Sequence, residues 1–231
     1  MKPEIVRTKS FAEDAAAFIA SSAEEAIDER GCFRVALSGG NTPRQVYQAL
    51  ALKECHWSKW MITFGDERCV PPDDPQSNHR MVSESLLLVA SPREVFRMQG
   101  EAVPDEAAAQ YEETLRALAS RFGEQRYIHD LVLLGLGDDG HTASLFPSTA
   151  ALSEKNRNVV ANFVPKFNTH RLTFTYPLIN ASHRVAFLVN DPKKEPIIEK
   201  VLEGGHGFPA EGVKPVNGEL VWFIGQSGAR H

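Results

Sequence analysis

The stretch Leu131-Val132-Leu133-Leu134-Gly135-Leu136-Gly137-Asp138-Asp139-Gly140-His141 decides how this chain is read. Its first half, Leu131 to Leu136, is a nearly continuous apolar run, as a strand buried on both faces requires. Its second half turns abruptly to glycine, two acids and a histidine. In open parallel α/β sheets, ligands bind beyond the carboxyl ends of the strands. An apolar strand running into a polar, glycine-rich turn is therefore the unit to look for elsewhere in the chain.

The unit recurs twice upstream. Phe33 to Leu37 reads as a strand and ends in Ser38-Gly39-Gly40-Asn41-Thr42-Pro43. Pro43 suits a first helical turn, and Val46, Tyr47 and Leu50 have the spacing of that helix's inner face. Trp60 to Phe64 reads as a strand and ends in Gly65-Asp66-Glu67-Arg68. Helices are expected between and around these units. Ser10 and Glu13 have capping-box spacing. Phe11, Ala15, Phe18, Ile19, Ala23, Ala26 and Ile27 then recur with helical period up to Gly31, a C-terminal stop. Ser77 to Val89, Pro104 to Phe122 and Lys193 to Leu202 are further helices. Residues 159–163, 171–175, 185–189 and 220–224 are further strands, and Gly204 to Pro215 reads as a loop. Strands alternating with helices, without a long linker or internal repeat, predict one α/β domain over 1–231. Its sheet is expected to be doubly wound and mostly parallel, with helices on both faces.

Composition narrows the function. A hydrophobic share of 42% with 24% charged residues is that of a globular chain with a sizeable core. The net charge of -5 argues against a nucleic-acid surface, which needs a basic excess, but leaves room for a locally positive pocket. Three cysteines without a C-x-x-C pair indicate neither a disulfide framework nor a zinc knuckle. The start, Met-Lys-Pro-Glu, lacks the apolar run of a signal peptide, and no stretch approaches 18 apolar residues. The expectation is a cytoplasmic protein with no membrane partner, present as a monomer or small homo-oligomer.

Each strand-end segment has a chemistry and a plainer alternative. Gly39 and Gly40 permit close backbone approach before a helix whose first N–H groups are free, which suits phosphate. Alternatively this is a simple tight turn, with Thr42 and Gln45 forming a capping box. Asp66-Glu67-Arg68 is a surface ion-pair set or, at a strand end, a source of a forked cation for an anionic oxygen. His141 sits on a glycine-flanked turn beside Asp138 and Asp139. An acid there can select the imidazole tautomer of a general base. Asp-x-His within one turn is a thin metal-ligand set, so no metal is expected. Lys193 and Lys194 open a helix, where cations are unfavourable unless an anion faces them.

Taken in order, LSGGNTP, FGDERCVPPDDPQSNHRM, LVLLGLGDDGHTASLFP, RLTFTYPLINAS and the Lys193-Lys194 helix start resemble the 6-phosphogluconolactonases. That family shares a modified Rossmann-like sheet with the glucosamine-6-phosphate deaminases. The resemblance implies hydrolysis of 6-phosphogluconolactone in the oxidative pentose phosphate pathway, with no cofactor and a small sugar phosphate as partner. It implies His141 as catalytic base, Arg68 as an active-site arginine, and Asp139 and Asp66 as their supports. Gly39, Gly40, Asn41 and Thr42 would line the sugar-phosphate site. Arg171 would bind phosphate, and Lys194, or Lys193 in the other register, would match the family's lysine. The chain departs from the pattern at Asp191 and Gly225, where the family often has Gly and Asp. A deaminase is the alternative of the same fold. Those enzymes follow the Asp-Gly-His segment with a catalytic Glu, where this chain has Ser144-Leu145-Phe146-Pro147, and read Asp-Glu-Tyr where it has Arg68. A non-catalytic sugar-phosphate sensor is the other alternative, but no segment is available for a helix-turn-helix domain.

Overall fold

The computed structural model describes residues 2–226. The strands are β1 (Glu4–Thr8), β2 (Phe33–Leu37), β3 (Trp60–Phe64), β4 (Asp66–Arg68), β5 (Glu94–Val95), β6 (Leu131–Leu134), β7 (Val159–Val164), β8 (Thr169–Phe174), β9 (Arg184–Val189) and β10 (Glu219–Gly225). The helices are α1 (Phe11–Arg30), α2 (Asn41–Leu50), α3 (Asn78–Val82), α4 (Pro104–Arg121), α5 (Tyr176–Ile179) and α6 (Glu195–Glu203). Seven strands form a parallel sheet in the order β1-β10-β9-β6-β2-β3-β5. The α/β class and the mostly parallel sheet are as the sequence predicts.

Alternation of side chains divides the sheet between two cores. Phe33, Val35, Leu37, Ile62, Leu131 and Leu133 point to the face covered by α1, α2 and α3. Ala36, Met61, Val132, Leu134, Val185 and Phe187 point to the face covered by α4 and α6. Every residue of β2, β3 and β6 is buried, which is why those segments lack polar alternation. A second sheet, antiparallel in the order β4-β8-β7, packs over the α4 face. It takes up two strands that the sequence pattern places in the main sheet, because the pattern reports burial rather than partners.

Other differences have local causes. β1 escapes notice because it is an edge strand, largely exposed, with only Ile5 and Val6 apolar. Ser10 makes no side-chain cap. Thr8 instead accepts from the Ser10 N–H at 3.0 Å and donates to Asp14. The expected helix over Ser77–Val89 starts at its Ser77 cap but changes at Ser83 into a π-type turn through Leu87. There the Ser85 hydroxyl donates to the Met81 carbonyl at 2.7 Å, competing with the helical ladder.

His129 lies completely buried against Tyr127 and Phe174 of the core on the α4 face. The Thr63 hydroxyl donates to the Val35 carbonyl, so His129 Nε2 must donate to Thr63 Oγ1, 2.9 Å away. Burial, and secondarily the Arg34 charge, push its imidazole down to about 3. From the ordinary value of 6.5 down to about 3, the unfolded chain takes up a proton here that the folded chain refuses. The stabilisation is complete above that window and lost as pH falls through it, about 5 kcal/mol in all. Denaturation measured across this window should show a shallower pH dependence for His129→Gln than for the parent chain, although the variant is less stable at neutral pH.

Candidate active site

In the main sheet β6, β2 and β3 are adjacent, so their three polar turns emerge side by side, with the turn after β9 next to them. They enclose a cavity of about 340 Å³ lined by Gly39, Asn41, Thr42, Asp66, Arg68 and His141, among others. Gly40 and Lys194 also line it.

The β2 turn is clamped from behind. The buried Tyr47 hydroxyl donates to the Ser38 carbonyl at 2.9 Å and accepts from the Ser38 N–H at 3.0 Å. Gly40, at φ 102°, is the N-cap of α2 and no side chain caps the helix. Thr42 is therefore inside the helix rather than its cap, which corrects the capping-box reading. The first-turn N–H groups are left without a side-chain acceptor on the cavity wall, the arrangement that favours an anion.

The β3 turn runs straight into β4, and its acids face different ways. Asp66 is buried on the cavity wall. Its Oδ1 accepts from Asn78 Nδ2 at 3.0 Å and its Oδ2 from the Ser144 hydroxyl at 2.7 Å. A side chain at Gly39 would occupy the Asn78 amide, since a Cβ there would lie 1.8 Å from Asn78 Oδ1. Glu67 points away and accepts from the Asn78 and His79 N–H groups, tethering the start of α3. Burial pushes its carboxyl up despite those hydrogen bonds.

Arg68 lines the cavity and donates to the Gln76 carbonyl. Arg171 stands directly opposite it in the β4–β8 register. Among the described residues neither arginine makes an ion pair, and the Nε of each is buried without a partner. Burial, and then the Arg68 charge, lower the Arg171 guanidinium below its usual range. Arg171 is not on the cavity wall. It stands beside Arg68 on the neighbouring strand, with its guanidinium 5.4 Å from the Phe167 ring centre.

The β6 turn closes on itself. The Gly137 N–H donates to the His141 carbonyl and Thr142 Oγ1 to the Gly135 carbonyl, each at 2.8 Å. His141 Nδ1 is 2.5 Å from Asp139 Oδ1, and the ring stacks on Phe146 with centroids 4.0 Å apart. A Cβ on Gly137 would lie 2.0 Å from His141 Nδ1, so only glycine leaves room for the ring. Burial works to raise the Asp139 carboxyl, but hydrogen bonds from His141 and Lys166 bring it below the ordinary carboxylate value. A carboxylate only accepts, so Nδ1 is the nitrogen that carries the proton toward Asp139, and in the neutral ring the lone pair is on Nε2.

Of the two lysines that precede α6, Lys194 is the one on the cavity wall. Its ammonium donates to the Leu136 carbonyl, whereas Lys193 lines a neighbouring depression. Asn78 and Lys166 also line the cavity, and sequence reading misses both. Asn78 falls inside the motif that begins at Phe64, but no spacing rule singles it out. Lys166 is 27 positions from the acid it meets. No acid stands after the Asp-Gly-His turn: Phe146 covers the imidazole there, and Ser144 is occupied with Asp66.

Known proteins share this chain's sequence and architecture. A 6-phosphogluconolactonase of a Nostoc species is 37% identical over 212 residues, covering 89% of this chain and 87% of that protein. One of a Synechocystis species is 37% identical over 235 residues, covering 98% and 97%. The crystal structure of 6-phosphogluconolactonase from Thermotoga maritima superposes with a TM-score of 0.87 at 28% identity, covering 97% of this chain and 100% of that one. The family model described as glucosamine-6-phosphate isomerases/6-phosphogluconolactonase matches residues 7–222, and the chain belongs to that family.

Proposed function

We propose that this chain hydrolyses 6-phosphoglucono-1,5-lactone to 6-phosphogluconate in the oxidative pentose phosphate pathway, with His141 as general base. The observation that carries the mechanism is the Asp139–His141 pair on a cavity that Arg68, Lys194 and the N-terminus of α2 also line. The lactonases among its relatives supply the substrate.

Asp139 holds the Nδ1–H, leaving the Nε2 lone pair to take a proton from water as the water oxygen attacks the lactone carbonyl. Negative charge then develops on the carbonyl oxygen, and Arg68, with no carboxylate to neutralise it, is the cation placed to receive that charge. As the ring C–O bond breaks, the imidazolium returns its proton to the departing ring oxygen. The products are a hydroxyl and a carboxylic acid, which ionises. No cofactor enters this route. The phosphate is held by the N-terminus of α2 with Gly39, Gly40, Asn41 and Thr42, and by Lys194, while Arg171 adds its charge from beside Arg68. Binding energy at the phosphate orients the ring for attack. Asp66, with both oxygens engaged, keeps the wall between Arg68 and the β2 turn in place. No helix among the described residues is long and apolar enough to cross a membrane.

Freshly generated 6-phosphogluconolactone should be hydrolysed well above its spontaneous rate, and unphosphorylated gluconolactone far more slowly. A folded sample without acceleration would refute the lactonase reading and bring the deaminase forward, testable by ammonia release from glucosamine-6-phosphate. His141→Ala should lower kcat by roughly 10²–10⁴-fold, the usual contribution of a general base. Retention of nearly full activity would remove His141 from that role. Gly137→Ala should displace the imidazole and cost about 10²-fold in kcat, with circular dichroism showing the fold retained.

A further inference from the structure

The reaction above leaves one cation of the cavity unused. Lys166 lies on the single 3₁₀ turn Pro165–Phe167 between β7 and β8, where Asn168 takes a φ of 49° to reverse the chain. Its side chain is 60% exposed, yet it lines the cavity with Nζ 3.2 Å from Asp139 Oδ2. The other oxygen of that carboxylate takes His141. Asp139 is thus divided between two donors from different elements of the fold.

The turn that carries Lys166 is packed onto the same aromatic stack as the histidine. Phe167 meets Phe146 edge-on at 5.7 Å between centroids, and Phe146 stacks on His141 at 4.0 Å. The lysine's anchor and the imidazole are therefore placed by a common support.

We propose that Lys166 is a positioning residue of the dyad: by holding Asp139 Oδ2 it sets the plane of the carboxylate and the strength with which Oδ1 holds His141. The proposal rests on the reading of His141 as the base. Without the lysine, Oδ2 loses its donor, and the carboxylate is held only through Oδ1, by the His141 ring and the His141 N–H. Its charge then falls more fully on the imidazole, favouring the protonated ring that is useless as a base. Other charges facing the dyad across the cavity are Asp66 and Arg68 from β4, Asp138 from the same turn, and Lys194 from the turn before α6. None of them is hydrogen-bonded to Asp139 among the described residues, so they form a background that a change at Lys166 leaves in place.

The test compares Lys166→Met and Lys166→Arg with the parent chain. The acid limb of kcat/KM is measured, and the imidazole titration is followed by NMR, with His141→Asn assigning the resonance. Lys166→Met should move both upward by roughly 0.2–0.7 pH unit, a modest shift because the pair is exposed, and Lys166→Arg should restore both. A loss of activity equal at every pH, with an unmoved titration, would make Lys166 merely structural and overturn the proposal. A raised KM with an unmoved acid limb would make it a substrate ligand and also overturn it. If the parent chain fails to hydrolyse the lactone, the functional reading falls, while the NMR titration still decides whether Lys166 governs the Asp139–His141 pair.

Discussion

The site depends on the parallel pairing of β2 with β3 on one side and β6 on the other. Parallel strands deliver all their carboxyl ends to one edge of the sheet, so three polar turns separated by long stretches of sequence come out beside one another. The pairing is held by burial on both faces: Phe33, Val35 and Leu37 in one core, Ala36 in the other. Each fully buried aliphatic or aromatic side chain contributes about 1.5–3 kcal/mol. The three turns themselves contribute little apolar burial, so their positions are set by the strands beneath them.

Above that edge the turns are fitted to one another as tightly as a core. The space that a Cβ would fill at Gly39 holds the Asn78 amide, and the space at Gly137 holds the His141 ring. Asp66 and Asp139 each have both carboxylate oxygens engaged, so neither is free to swing into the cavity. The arginines are the opposite case. Arg68 and Arg171 face each other across β4 and β8 without a carboxylate, in a chain of net charge -5. The Arg68 charge works against that of Arg171 and is only partly offset by Asp66 and Glu67, so an anionic ligand would favour both guanidinium groups. The cavity is polar and rigid where protons move and positively charged where a phosphate or an oxyanion is to be held.

Much of this could be read along the chain, and the failures share a cause. The long helices and the apolar strands declared themselves because a continuous or periodic pattern records burial. β1 did not, because an edge strand buries too little to leave a pattern. β4 did not, because its three residues are all polar and pair only with β8. Thr42 looked like a cap because the capping-box spacing is local, but the helix begins at Asn41, with Gly40 as its N-cap. The sequence favoured Lys194 but left Lys193 open as the other register, and the turn entering α6 brings Lys194 to the Leu136 carbonyl.

By itself the sequence determined the α/β class, the strand-to-turn units, and the proximity of Asp139 to His141, which are two residues apart. These follow from short-range chemistry: hydrophobic period, glycine at sharp turns, and an acid within one turn of an imidazole. Tertiary structure alone decided that Asn78 holds Asp66, that Arg171 stands opposite Arg68 on the next strand, and that Lys166 shares Asp139 with the histidine. Those contacts join residues 12, 103 and 27 positions apart. No local preference specifies them. They exist because strand order and the two packed cores bring distant turns to the same edge of the sheet.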